Sequence, residues 1–296
     1  MNSIEKAIQR LMKQAEQPDE ASKSVARIEQ TESTADLNIG TQTNPNLQAA
    51  INKIIRWDFD RLESMGYVTP QSKQTNVAEE LRVIKRPLVN NALGRSAGNI
   101  PRGNTLMVTS SLPGEGKTFM SLNLALSIVA EKDTTVLLMD GDLVNPTMSR
   151  LLGVEDQLGL TDVLDGSVGD ISEVILQTDI PELRFIPAGR RSALSTELLA
   201  SEKMHNLIDE LSTRYKDRII IFDSSPVLVT SLAIVLSHLV GQIALVVEAG
   251  KTPHNILREV VDLLNDNDVV NLILNKNRRS SLGGYYYGSY YGSGNN

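Results

Sequence analysis

A chain of 296 residues with 41% hydrophobic content has room for one large α/β domain with extensions, and enough apolar side chains for a full core. Its net charge of −7 gives no basic face for nucleic acid, and the absence of cysteine excludes disulfides and thiolate metal sites. No apolar run reaches the roughly 18 residues of a membrane span and the polar N-terminus is no signal peptide. The expectation is a cytoplasmic protein whose membrane contact, if any, is peripheral or through a partner.

Residues 1–16 place Ile4, Ala7, Ile8, Leu11 and Met12 at helical spacing among charges, which predicts a short amphipathic helix. Residues 17–46 are polar and read as a flexible linker. From Leu47 apolar residues return and predict a helix to about Ser64, stopped by Gly66. A second helix starts at Asn76, capped by Asn76 or Thr75, and runs to Arg86. On it Glu79, Arg82 and Lys85 repeat every three residues and are expected to share a face. Asn90–Arg102 is polar and reads as a connection, so that 47–102 forms a helical extension to a core domain over 103–280.

That core alternates. Strands are predicted at Thr105–Ser110, Thr135–Asp140, Leu183–Pro187, Arg218–Asp223, Gln242–Glu248 and Asn271–Asn275. Most are near-continuous Val, Ile and Leu, as parallel strands buried on both faces require. Helical patterns lie between them at Phe119–Ala130, Leu160–Leu164 with Ile171–Leu176, Thr196–Tyr215 and Asn255–Leu264. The fold class is a doubly wound, mostly parallel α/β sheet, with its ligand at the carboxyl ends of the strands.

The chain is organised around Ser110-Ser111-Leu112-Pro113-Gly114-Glu115-Gly116-Lys117-Thr118, set between the first core strand and its helix. Strand, small-residue loop ending Gly-Lys-Thr, and helix together make a phosphate-binding loop. Gly114 and Gly116 lack a Cβ, so backbone N–H groups can close around phosphate oxygens, and the helix N-terminus adds donors and partial positive charge. Lys117 would reach the β- and γ-phosphates and the Thr118 hydroxyl would bind Mg²⁺. Two later strands end in carboxylates, at Asp140-Gly141-Asp142 and at Asp223. Such acids sit on the crevice side, where one can serve the metal and another accept a proton from an incoming hydroxyl. Beyond Asn275 the chain turns basic and then to Gly, Ser and Tyr, carrying five of its seven tyrosines: Tyr285, Tyr286, Tyr287, Tyr290 and Tyr291. Flexible tyrosines beside a phosphoryl-transfer site read as substrates.

From about residue 76 to 291 the sequence resembles the bacterial tyrosine kinases, in particular soluble autokinases of exopolysaccharide gene clusters. The motifs that carry it are Ser111–Thr118 as Walker A, Val136–Asp142 as the additional Walker A′, Ile219–Asp223 as Walker B, and the tyrosine cluster. The resemblance implies ATP as donor, Mg²⁺ as metal and autophosphorylation of the five tail tyrosines by a neighbouring subunit. Nucleotide contacts then fall on Pro113, Gly114, Glu115, Gly116, Lys117, Thr118 and Phe119, metal contacts on Thr118, Asp140 and Asp223, and catalysis on Lys117, Asp140 and Asp142. Glu79, Arg82 and Lys85 resemble the Glu-x-x-Arg-x-x-Lys/Arg signature through which such kinases form rings. Also implied are a transmembrane activator of the chain-length-determinant type, recruitment to the inner face of the membrane, and control of polysaccharide chain length and export.

Three positions depart from the family pattern. Val144-Asn145 stands where relatives carry a basic pair, Leu232 where they often carry an acid, and Ser111 where the loop usually opens with Gly. A different class also uses this fold: the ATPase switches of septum placement and plasmid partition, which dimerise on ATP without kinase activity. Those usually place a second lysine early in the phosphate loop, and around Leu112 there is none. A third reading is a weak regulator whose tyrosines another kinase modifies.

Overall fold

The computed structural model describes residues 54–277, apart from 71, 73–74, 97, 132 and 215–217. The expected N-terminal helix, the linker and the tyrosine tail lie outside the described residues.

Near-continuous apolar runs become strands packed on both sides. They form β2 (Thr105–Ser110), β3 (Thr135–Asp140), β5 (Leu183–Ile186), β6 (Arg218–Asp223) and β7 (Gln242–Glu248), with β8 (Val270–Asn275) at one edge. Two short strands, β1 (Ile54–Ile55) and β4 (Leu176–Thr178), extend the other edge, giving an eight-stranded sheet in the order β1-β4-β5-β3-β6-β2-β7-β8. All neighbouring pairs are parallel except β4 with β5. Side chains alternate between two cores, each of which removes large apolar side chains from water at about 1.5–3 kcal/mol apiece. Leu106, Val108, Leu138 and Ile221 face one core, and Met107, Met139, Ile220 and Phe222 face the other.

The first core is covered by α1 (Phe59–Ser64), α2 (Asn76–Ala92) and α3 (Lys117–Val129). Beyond β3 the chain adds α4 (Thr147–Leu151), then α5 (Leu160–Leu164), a 3₁₀ turn at Ile171–Glu173, α6 (Ser195–Leu199), α7 (Glu202–Arg214), α8 (Leu232–Ser237) and α9 (His254–Leu263). No helix among the described residues is long and apolar enough to cross a membrane.

Several local expectations change. Of the helix expected from Leu47 to Ser64, residues 47–53 lie outside the described residues and the rest is a strand followed by a short helix. Ile54–Ile55 pairs with Gln177–Thr178, and the Asp58 side chain caps α1 by accepting from the Arg61 N–H at 2.9 Å. Gly66 stops α1 as expected, at φ 88°. Ile171–Leu176 is helical only as the 3₁₀ turn Ile171–Glu173, because Leu176 begins β4 and its side chain is buried beneath the sheet edge. The predicted Thr196–Tyr215 helix breaks at Ala200–Ser201 into α6 and α7. Thr75 is the cap of α2, accepting from the Ala78 N–H, and the helix runs past Pro87 to Ala92. The lost donor at Pro87 does not end it, since Leu88 and Val89 in the following turn are buried. Helices α4 and α8 were not expected at all.

On α2, Glu79, Arg82 and Lys85 do not present one face. A three-residue step falls about 60° short of a full turn, so the third residue lies about 120° round from the first. Glu79 and Arg82 are exposed and ion-paired to each other. Lys85 instead turns inward against α3, donates to the Ser127 carbonyl and pairs with Glu131 at 3.0 Å. It clamps two helices of its own chain.

Candidate functional site

Strand order builds the crevice. β2 lies between β6 and β7, and its chain leaves through the phosphate loop and α3 to reach β3, on the far side of β6. This is the reversal point at which open α/β sheets take ligands. In register, Asp140 at the end of β3 stands directly opposite Asp223 at the end of β6. Asp223 therefore lies between the phosphate loop and the β3 acids.

The loop has the shape its sequence predicts. Gly114 and Gly116 have φ of 84° and 100°, which other residues adopt only under strain. Gly116 is the N-cap of α3 and no side chain caps that helix. The N–H groups of its first turn, including that of Phe119, thus have no intrahelical acceptor and suit an anion. Thr118 Oγ1 donates to Asp223 Oδ2 at 2.7 Å, and Lys117 Nζ pairs with Asp142 Oδ2 at 3.0 Å. Burial opposes the charge on Lys117, but Asp223, Asp142 and Asp140 together hold its ammonium above the ordinary value. Burial likewise raises Asp223 and, with Asp223 beside it, pushes Asp140 up to about 7.

The three acids are not equivalent. Asp223 faces Thr118, and its other oxygen accepts from Ser121 Oγ at 2.9 Å. Asp142 faces Lys117 and accepts from Ser225 Oγ at 2.8 Å and the Asn145 N–H at 3.1 Å. Asp140 is turned the other way: its Oδ2 takes both the N–H and the hydroxyl of Ser149, at 2.8 and 2.7 Å. Strand alternation does not align Asp140 with Asp142, because the chain leaves the sheet at Gly141.

Two residues of the expected nucleotide set have other engagements. The Glu115 carboxylate is nearly fully buried, accepts from the Leu112 N–H at 2.8 Å and also holds the Thr252 hydroxyl, bracing the loop from behind. The Phe119 ring stacks on Tyr67 at a centroid distance of 5.0 Å. Pro113 sits in the opening turn. Where relatives carry a basic pair, Val144 is exposed, while Asn145 Oδ1 holds the Arg150 guanidinium at 2.6 Å, so one cation still lies on this rim. Leu232 is buried in the core at the start of α8.

Ser121, Ser149, Ser225, Thr252, Asn275 and Lys276 were missed by sequence reasoning. Ser121 had a signal, lying three residues after Thr118 and so on the same side of α3. Ser225 lies two residues beyond the Asp223 strand end. The others arrive through long-range contacts that leave no local trace.

The raised carboxyl of Asp140 makes a pH prediction for metal-free protein. Between about pH 4, where unfolded Asp titrates, and about 7, the folded state holds a proton that the unfolded state has lost. This contribution to stability is full below that window and is lost as pH rises through 7. Comparison of wild type with Asp140→Asn in chelator should show a stability difference that changes across pH 4–7 by up to about 1.4 kcal/mol per unit and is flat above. A constant difference across that range refutes the buried-acid description.

Residues 104–251, half of the chain, match the family described as AAA domain. Tyrosine-protein kinase ptk of Acinetobacter johnsonii is 35% identical over 184 residues, which is 62% of this chain and 25% of that protein. The chain therefore spans about a quarter of the length of this relative. The putative tyrosine-protein kinase CapB of Staphylococcus aureus is 28% identical over 228 residues, covering 76% of this chain and 94% of CapB. The solved VpsO kinase domain is 31% identical with a TM-score of 0.55, covering 69% of this chain and 100% of that domain. With its phosphate loop, its Asp140–Asp223 strand ends and these relatives, the chain belongs to the bacterial tyrosine kinase family of P-loop proteins.

Proposed function

We propose that this chain is an ATP-dependent protein-tyrosine autokinase that phosphorylates Tyr285, Tyr286, Tyr287, Tyr290 and Tyr291 of a neighbouring copy. The observation that carries the reading is the convergence of Lys117, Thr118, Asp142 and Asp223 on one crevice beside an uncapped helix N-terminus. The left-handed glycines and free first-turn donors fit a polyphosphate. Mg²⁺ binds through one or two protein oxygens together with substrate phosphates, and the Thr118 and Asp223 side-chain oxygens stand together at the start of α3.

In this reading the loop N–H groups and Lys117 hold the β- and γ-phosphates. Thr118 and Asp223 would hold Mg²⁺, whose chemistry there would be to neutralise charge on the phosphoryl oxygens. Asp140, which accepts from the Asp142 N–H and from Ser149, orders the loop that carries Asp142 and, standing opposite Asp223, is the further acid of the expected metal set. Ser225 and the Asn145 N–H fix Asp142 Oδ1, while Oδ2, paired with Lys117 at 3.0 Å, would accept the proton of the incoming tyrosine hydroxyl once Lys117 turns to the phosphates, as the tyrosine oxygen bonds to the γ-phosphorus. The bond from that phosphorus to the ADP oxygen breaks. Little covalent help is needed, since positioning and charge stabilisation dominate such transfers.

The proposal extends to a ring-like homo-oligomer, to a transmembrane activator that recruits the chain to the inner membrane face, and to control of exopolysaccharide chain length and export. The family membership supports each of these. The deciding experiment incubates purified protein with labelled ATP and Mg²⁺ and maps phosphate by mass spectrometry. Label on tyrosines after residue 284 is expected. ATP hydrolysis with dimerisation but no phosphotyrosine would place the chain among the switch ATPases instead.

A further inference from the structure

We propose that Asn275 and Lys276 are positioning residues that aim the phosphate-loop amides. The inference rests on the nucleotide-site reading above and deepens it. β8 is the edge strand, yet its last residue and the one after it reach across to the loop. Asn275 Nδ2 donates to the Glu115 carbonyl at 2.8 Å, and Lys276 Nζ donates to the Gly114 carbonyl at 2.6 Å. These bonds span more than 150 residues of sequence and fall on two successive peptide groups.

The consequence follows from peptide geometry. In a planar trans peptide the C=O of one residue and the N–H of the next point in opposite directions. Drawing the Gly114 carbonyl back toward Lys276 turns the Glu115 N–H forward. Drawing the Glu115 carbonyl back toward Asn275 turns the Gly116 N–H forward. The latch thus sets the direction of two donors in the middle of the cradle, while the uncapped start of α3 supplies those at its end.

Each part of the latch is itself held. Lys276 sits at φ 55°, a left-handed conformation that points its side chain back toward the loop, and it pairs with Glu248 Oε2 at 3.1 Å. The bond from Lys276 is the leading reason that the Glu248 carboxyl lies below the usual carboxylate range. Lys251 pairs with the same Oε2 at 3.3 Å, and Glu248 stands opposite Asn275 in the β7–β8 register. The Asn275 backbone carbonyl accepts from the Ala249 N–H at 2.9 Å. Gly116 completes the fit: a Cβ there would collide with the Asn275 amide. This gives Gly116 a second reason to be glycine besides its φ of 100°.

The assignment separates from a plain structural role because it concerns phosphate alone. ADP and adenosine are titrated into the full chain by calorimetry, for wild type, Lys276→Met, Lys276→Arg, Asn275→Leu and Lys117→Met. Loss of one oriented donor should weaken ADP by about five- to tenfold in Lys276→Met and in Asn275→Leu. Adenosine affinity should not change, and Lys276→Arg should recover most of the ADP affinity. Lys276 is about half exposed, so its replacement leaves the fold intact and keeps the test interpretable if Asn275→Leu folds poorly. Wild-type ADP affinity in Lys276→Met overturns the latch; if Lys117→Met still weakens ADP, the nucleotide-site reading stands. Absence of ADP binding by wild type overturns both.

Discussion

Lys117→Met should abolish the proposed tyrosine phosphorylation and leave the protein folded. Lys117 is the first residue of α3 and its ammonium is largely enclosed, 3.0 Å from Asp142 and within the field of Asp223 and Asp140. Methionine keeps the stem but removes a cation that can follow charge onto the transferring phosphoryl oxygens. Electrostatic groups of this kind are worth about two to three orders of magnitude in rate. The fold survives for a local reason. Removing one member of a buried ion pair is costly when it strands a charge. Here Asp142 keeps the Ser225 hydroxyl and the Asn145 N–H. Asp140 and Asp223, already raised by burial, can relieve the remaining repulsion by taking up a proton. A thermal midpoint within a few degrees of wild type is therefore expected alongside loss of label. Undiminished label in a variant that still binds ATP overturns the role given to Lys117.

How much of this was legible beforehand depends on whether the signal was local. The phosphate loop was, because Gly114, Gly116, Lys117 and Thr118 act through backbone conformation and position at a helix start, both written in consecutive residues. The β-strands were, since runs such as Ile219–Phe222 are apolar on both faces, which only a buried central strand requires. The short edge strands were not. Ile54–Ile55 and Leu176–Thr178 are strands only because each finds a neighbour more than a hundred residues away or across a turn, and their apolar residues fit a helical period equally well. Lys85 was misplaced because a three-residue repeat looks like a stripe in sequence while the helix carries it round towards α3. The latch at Asn275–Lys276 was invisible for the same reason as β1: its partners, Glu115 and Gly114, come to it only through the fold.

Phosphorylation of the C-terminal tyrosines should dissolve the proposed homo-oligomer. From Arg278 onward the chain carries two cations and no anion, while Lys276 is already engaged with Glu248 and Gly114. The crevice it would enter on a neighbour is lined by Asp140, Asp142 and Asp223 and has Lys117 as a cation within it. The unmodified tail is attracted to that acidic site, and its tyrosines are the groups the proposed chemistry consumes. Each phosphate then adds roughly −1.5 to −2 charges at neutral pH. Modification of Tyr285, Tyr286, Tyr287, Tyr290 and Tyr291 together outweighs Arg278 and Arg279 several-fold and turns attraction into repulsion. Reach is sufficient: sixteen residues from 276 to 291, extended at about 3.3 Å each, span roughly 50 Å. The five-Phe variant should bind ATP normally and remain in the assembled state, whereas phosphorylated wild type should sediment as a smaller species. Because the attraction is between charges on separate copies, salt above about 0.5 M should also shrink the unphosphorylated assembly. If phosphorylated wild type and the five-Phe variant sediment alike, charge does not govern assembly, and the contact lies instead on a surface such as the exposed Glu79–Arg82 pair of α2.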